Sequence, residues 1–190
     1  MNKTKRAIYN ASIEVFSRLG YNKATMELIA EAANVSKGTL YYHFKNKEEI
    51  FNFIIYNGMK SIVDRVKELA EKEDNIYIQV RDILKHQIKI MCERKEFFKV
   101  IMSQIWGEEE RQIQLRKAVQ DYLKIIEFYL NKAMEHNHIK EYNCELLSYT
   151  VFGILSSTAI YDLLSPNSLS TEEITEQLMQ LIFKGITIGK

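Results

Sequence analysis

At 190 residues, 46% of them apolar, the chain can bury a sizeable core, and this composition excludes a disordered polypeptide. Net charge is only +1, yet residues 1–47 hold eight Lys/Arg against three Asp/Glu, a balance of +5, while residues 48–190 hold 18 against 22, a balance of −4. That asymmetry makes the amino-terminal end the one suited to phosphates.

Cys92 and Cys144 stand apart, in neither a C-x-x-C pair nor a disulfide framework, so both are expected to be buried thiols in a reducing cytoplasm. One proline, seven glycines and no strand-like alternation between turn dipeptides predict an all-α fold. The first residues, MNKTKRAIYNASIEVF, carry charge but no apolar run, so no signal peptide is expected. The longest uncharged stretch, Leu146 to Tyr161, is shorter than a bilayer span and holds several Ser and Thr, so no membrane role is expected.

In chain order, the first predicted helix runs from about Thr4 to Leu19, with Ile8, Ala11, Ser12, Val15 and Phe16 at helical spacing and Gly20 as its stop. A short second helix opens at Thr25, whose hydroxyl can accept from an orphan backbone N–H, with Glu27 in the first turn where the helix dipole favours an anion. Leu28, Ile29, Ala32 and Ala33 are its expected buried face. Asn34 then supplies the left-handed residue that ends a helix, and Ser36 caps the next one.

On that third helix, a rotation of about 100° per residue places Leu40 and Phe44 together as anchors, with Gly38 and Tyr42 on the opposite side. Lys37, Gly38, Thr39, Tyr41, Tyr42 and His43 are left pointing outward. Lys and polar groups reach base edges or phosphates, Tyr hydroxyls bond phosphates, and Gly permits close backbone approach, so the set suits a DNA groove. The alternative is that the three rings cap a neighbouring hydrophobic surface.

Asn46 and Glu49 form a capping-box pattern for a long helix over about 47–73, with Phe51, Ile55, Met59, Ile62, Val66 and Leu69 as the inner stripe. Further amphipathic segments are predicted at about 76–94, 97–106 and 108–137, the last after a break at Gly107 and an acidic first turn. Two more, about 143–164 and 171–188, close the chain, the second with Ser170 and Glu173 in capping-box spacing. The total is nine helices.

The stretch VSKGTLYYHFKNKEEI is similar to the recognition-helix signature of the tetracycline-repressor (TetR) family of bacterial transcription regulators. The resemblance covers about the first quarter of the chain, from Ala7-Ile8-Tyr9 through Phe16, Gly20-Tyr21 and Thr25 to Ile50. Two departures stand out: Asn34 replaces the Gly of many relatives, and Tyr42-His43 reverses their His-before-Tyr order. The resemblance implies a helix-turn-helix DNA-binding domain over residues 1–46 and a helical effector-binding and dimerisation domain over 47–190. It implies Lys37, Gly38, Thr39 and Tyr41 near base edges, and Thr25, Ser36, Tyr42, His43 and Lys47 at phosphates.

Large rings and thioethers at Tyr77, His86, Met91, Phe97, Phe98, Met102, Trp106, Tyr122, Phe128 and Tyr129 are either core or the lining of a pocket for a lipophilic or aromatic effector. The resemblance favours the pocket, with Met59, Ile62, Tyr77, His86, Met91, Phe98, Met102, Trp106, Tyr122 and Tyr129 as its candidate residues. A helix uncharged for sixteen residues needs cover all round, so residues 146–161 and the final helix are expected to pair with a second copy of the chain. The candidate dimer contacts are Phe152, Leu155, Ser156, Ala159, Ile174, Leu178, Leu181 and Ile182. The expected partners are a palindromic operator in double-stranded DNA, a small-molecule effector and a second copy, and the expected role is that of a repressor released by the effector.

A helical-bundle enzyme is the main rival, since facing helices can hold a di-metal site, but that requires paired Glu-x-x-His units. Only Glu135 and His138 have that spacing, and no phosphate loop or nucleophile elbow occurs. No catalytic residue, metal or cofactor is expected.

Overall fold

The computed structural model describes residues 1–165 and 169–186, apart from the side chains of residues 159, 162 and 163. Among the described residues it is all-α, with nine helices: α1 (Lys3–Lys23), α2 (Met26–Ala32), α3 (Lys37–His43), α4 (Lys47–Glu71), α5 (Ile76–Glu93), α6 (Lys95–Gln104), α7 (Glu110–Glu135), α8 (Cys144–Leu164) and α9 (Thr171–Ile186). No described helix is long and apolar enough to cross a membrane.

The helix ends follow from local chemistry. Thr25 Oγ1 accepts from Leu28 N at 3.2 Å, Ser36 Oγ from Thr39 N at 3.0 Å, and Asn46 Oδ1 from Glu49 N at 2.8 Å. Glu49 reaches back to Lys45 N, one residue ahead of the reciprocal partner in the usual capping box. Ser170 and Glu173 do close such a box, with Ser170 N donating to Glu173 at 2.8 Å and Glu173 N donating to Ser170 Oγ at 3.2 Å.

Asn34 has φ of 52°, and its neighbour Val35 N donates to Ala30 O at 3.0 Å while Asn34 N donates to Glu31 O at 2.9 Å. This pair of bonds satisfies the last carbonyls of α2 and needs a left-handed residue at position 34. Gly20 also has positive φ, 76°, but the chain resumes helical turns at Tyr21 rather than stopping at Leu19.

The helices gather into two compact units. The first comprises Met1–Lys60 with Glu96–Val119, the second Ser61–Lys95 with Gln120–Lys190, and α4 and α7 contribute turns to both. In the first unit α1 packs on α2 and α2 on α3. Its aromatic centre is Phe16, Tyr21 and Phe51, with centroids 5.4–6.0 Å apart. The buried residues of α2 are Met26, Ile29 and Ala30, and Ala33 at its end is buried as expected; the expected face is corrected at Ala32, which is exposed, Met26 and Ala30 taking its place on the buried side. In the second unit α5 packs on α8 and α9. Cys144 is buried and Cys92 half-buried.

At Gly58 in α4 any Cβ would run into the ring of Phe97, which is itself buried. Gly58→Ala should therefore destabilise, because the overpacking cost of about 1–3 kcal/mol exceeds the gain of up to about 1 kcal/mol in helix propensity. A lowered urea midpoint with unchanged slope checks this; a raised midpoint would mean that Phe97 moves aside freely.

Candidate nucleic-acid interface

Helix α3 has seven residues, too short to persist alone, and it is held by Leu40, which is fully buried, and by Phe44 just past its end. Lys5 Nζ and the Phe53 ring cover Phe44 from α1 and α4. The opposite side faces water: Tyr42 is 85% exposed and Tyr41 44%. Gly38 has open space beside it except for Ser36 Oγ. His43 is half-buried, its ring edge-on to Tyr42 at 5.1 Å. Thr39 is half-buried and its hydroxyl shares a 2.8 Å hydrogen bond with that of Ser36, so the two hydroxyls lie together at the start of α3.

Lys37 is exposed, but its ammonium is paired with Glu27 of α2 at 2.5 Å and lies 5.8 Å from the Tyr41 centroid. Their mutual hydrogen bond holds the Glu27 carboxyl below its ordinary range and Lys37 above its own. Thr25 sits exposed at the start of α2. The structure thus brings Thr25, Ser36, Lys37, Gly38, Thr39, Tyr41, Tyr42 and His43 onto α3 and the adjoining helix starts.

Lys47 is different. Its ammonium donates to the carbonyls of Tyr21 at 2.7 Å and Ala24 at 2.9 Å, and more weakly to that of Asn22 at 3.4 Å. It also lies 4.4 Å from the Tyr21 centroid. Burial, together with the nearby Arg111 guanidinium, holds it below the ordinary lysine range. Its donors are committed to the protein backbone. Sequence spacing gave no sign of this, because the partners lie 23–26 residues away.

The family model described as "Bacterial regulatory proteins, tetR family" matches residues 8–54, the span that holds α2, the turn and α3. An uncharacterised HTH-type transcriptional regulator of Bacillus subtilis, YhgD, is 33% identical over 132 residues, 63% of this chain and 69% of that protein. This chain belongs to the TetR family. It is therefore a DNA-binding transcription regulator of a family that does not consist of enzymes.

The TetR fold extends well beyond the matched residues, over 96% of this chain. A Clostridium perfringens protein named as a candidate fatty acid metabolism regulator superposes with a TM-score of 0.89 at 38% identity, covering 96% of this chain and 100% of that one. FadR of Bacillus subtilis, solved with stearoyl-CoA, superposes at 0.82 with 20% identity, covering 95% and 98%.

The TetR chain places the remaining candidates as follows. Ile62, Met91 and Tyr122 are buried in the second unit, with Tyr77, His86 and Tyr129 half-buried there. Met59 and Phe98 are buried in the first unit, with Met102 half-buried. Trp106 is 80% exposed, in the turn after α6 rather than within a helix. Among the described residues, His86 Nε2 and Gln87 Nε2 are buried without a hydrogen-bond partner. Burial and, after it, the Arg65 guanidinium lower the His86 pKa; the Glu93 carboxylate opposes them, and Arg94 and Lys89 add smaller lowering effects.

Of the candidate dimer contacts, Leu155, Ser156 and Ile182 are buried within the chain. Phe152, Ile174 and Leu178 are half-buried, Leu181 is 62% exposed, and the Ala159 side chain lies outside the described residues. The exposed stripe of α8 runs instead through Leu146, Tyr149, Gly153, Ser157, Ile160 and Leu164. No three His, Cys, Asp or Glu among the described residues are placed to hold a metal ion.

Tyr42→Ala should weaken binding to a duplex selected from a random-sequence pool by more than about 1 kcal/mol, the value of a good hydrogen bond. Stability should change by less than about 0.5 kcal/mol, since the ring touches water rather than core. Gel shifts and urea unfolding on the same preparation check both; parallel losses would mean that the ring packs inside.

Proposed function

We propose that this TetR-family regulator is a homodimeric repressor that leaves a palindromic operator when an acyl-coenzyme A thioester binds its second unit. Residues 1–46 read DNA, with Lys37, Gly38, Thr39 and Tyr41 near base edges and Thr25, Ser36, Tyr42 and His43 at phosphates. Residues 47–190 bind the effector and dimerise. The observation that carries the DNA reading is α3, pinned by Leu40 and presenting Tyr41, Tyr42 and Gly38 to solvent.

The effector class rests on chemistry within the second unit. An acyl-coenzyme A joins an apolar chain to anionic phosphates. The unit offers buried Ile83, Leu84, Ile88, Met91 and Tyr122, and His86 with an unsatisfied Nε2, near which three cations, Arg65, Lys89 and Arg94, outnumber the one carboxylate, Glu93. The fatty-acid regulators among the structural relatives support the same class, one at 38% identity and one bound to stearoyl-CoA. Homodimerisation is supported by the apolar stripe of α8, since exposed patches of this kind mark interaction surfaces.

The test is a gel shift over a salt series with the selected duplex. A steep negative slope and a palindromic footprint support the regulator. Stearoyl-CoA, coenzyme A and stearate are then added separately. The thioester alone should weaken operator binding by about tenfold or more, within the usual range of allosteric coupling. Tight operator binding that none of the three disturbs would reject the effector class and leave the DNA reading standing.

A further inference from the structure

Tyr21, where α1 resumes after Gly20, is buried against Phe16 and Phe51 and lies under two cations. The Arg111 guanidinium is 3.9 Å from its centroid and the Lys47 ammonium 4.4 Å. Arg111, at the start of α7, is only 4% exposed. Both of its terminal nitrogens donate to the Glu109 carboxylate, and Nη2 also reaches Gln104 Oε1 at 3.4 Å. On the other side of the cluster, Lys47 Nζ ties the carbonyl of Tyr21, in the last turn of α1, to that of Ala24, which directly precedes the Thr25 cap of α2.

A buried guanidinium is a costly way to add stability, since an apolar side chain of similar size often does as well or better. What it adds is geometry: a planar fork fixed by a carboxylate and laid on a ring admits few arrangements. Here the fork is fixed to the turn between α6 and α7, and the ring and the second cation are fixed to the last residues before α2.

We propose that Arg111 is a positioning residue for DNA binding: acting through Tyr21 and Lys47, it holds the residue 21–25 turn from which α2 starts and so sets the orientation of α2 and α3. Lys47 then serves operator binding as a strut between helices. The inference rests on reading residues 25–43 as the DNA-facing surface, and Tyr42→Ala tests that reading separately, because Tyr42 touches no member of this cluster.

The experiment compares wild type with Arg111→Met, which keeps much of the alkyl volume, and Arg111→Lys, which keeps the charge but loses the fork. Gel shifts use the selected duplex, and amide hydrogen exchange is followed across the chain. Arg111→Met should bind the duplex at least tenfold more weakly, with Arg111→Lys intermediate. Exchange should accelerate at residues 21–28 while α8 and α5 keep wild-type protection. Adding Arg111→Met to Lys47→Met should cost less than a further twofold, because both act on one turn. If Arg111→Met does not fold, Arg111→Lys carries the same comparison. Affinity within twofold of wild type in a folded variant, exchange that rises uniformly, or fully additive losses with Lys47→Met would each overturn the assignment.

Discussion

Replacing Leu40 with alanine is expected to abolish operator binding and to cost about 2–5 kcal/mol of stability, the range for emptying a fully buried leucine site. Leu40 is completely buried, and with Phe44 it is the anchor of a seven-residue helix. A helix of that length has no independent stability, so its existence depends on tertiary contacts. Losing the anchor therefore unfolds α3 before it unfolds the first unit. Urea unfolding should show the lower midpoint, and gel shifts should show operator binding lost even where the rest of the protein stays folded. Retained affinity with a loss below about 1 kcal/mol would mean that α3 is held by something other than this side chain.

The second large effect is expected from Ile160→Glu. Ile160 lies on the exposed stripe of α8 with Leu146, Tyr149, Gly153 and Leu164, and Leu181 of α9 is likewise exposed. Burying an unpaired carboxylate in an apolar interface costs several kcal/mol, and a two-fold interface would count it twice. The variant should sediment as a monomer. Its operator affinity should fall by at least about a hundredfold, since one short recognition helix buries too little surface for tight specific binding. Its fold should survive, because Ile160 is already half in water within one chain. A variant that still sediments as a dimer would place the interface elsewhere.

How legible these features were in the sequence depended on how local their causes are. Thr25, Asn34, Ser36 and Asn46 each act on backbone within five residues, and each does what its chemistry dictates. Leu40 and Phe44 were readable as anchors because helical periodicity fixes which side chains share a face. On α8 the same tool failed: sixteen uncharged residues give no contrast between faces, so the exposed stripe could not be told from Leu155 and Ser156. Lys47 and Arg111 were out of reach for another reason. Their partner Tyr21 lies 26 and 90 residues away, and no local pattern encodes a cation laid over a distant ring.

Trp106 offers one more consequence. It is the only tryptophan, stands in water, and its carbonyl accepts from Gln112 Nε2 at 2.8 Å, while Arg116 holds the neighbouring carbonyls of Ile105 and Gly107. The chain thus carries a built-in optical reporter on a tethered loop. Its indole emission should sit at the red, water-relaxed end, be quenched readily by iodide, and register any docking event at that corner without a dye being attached.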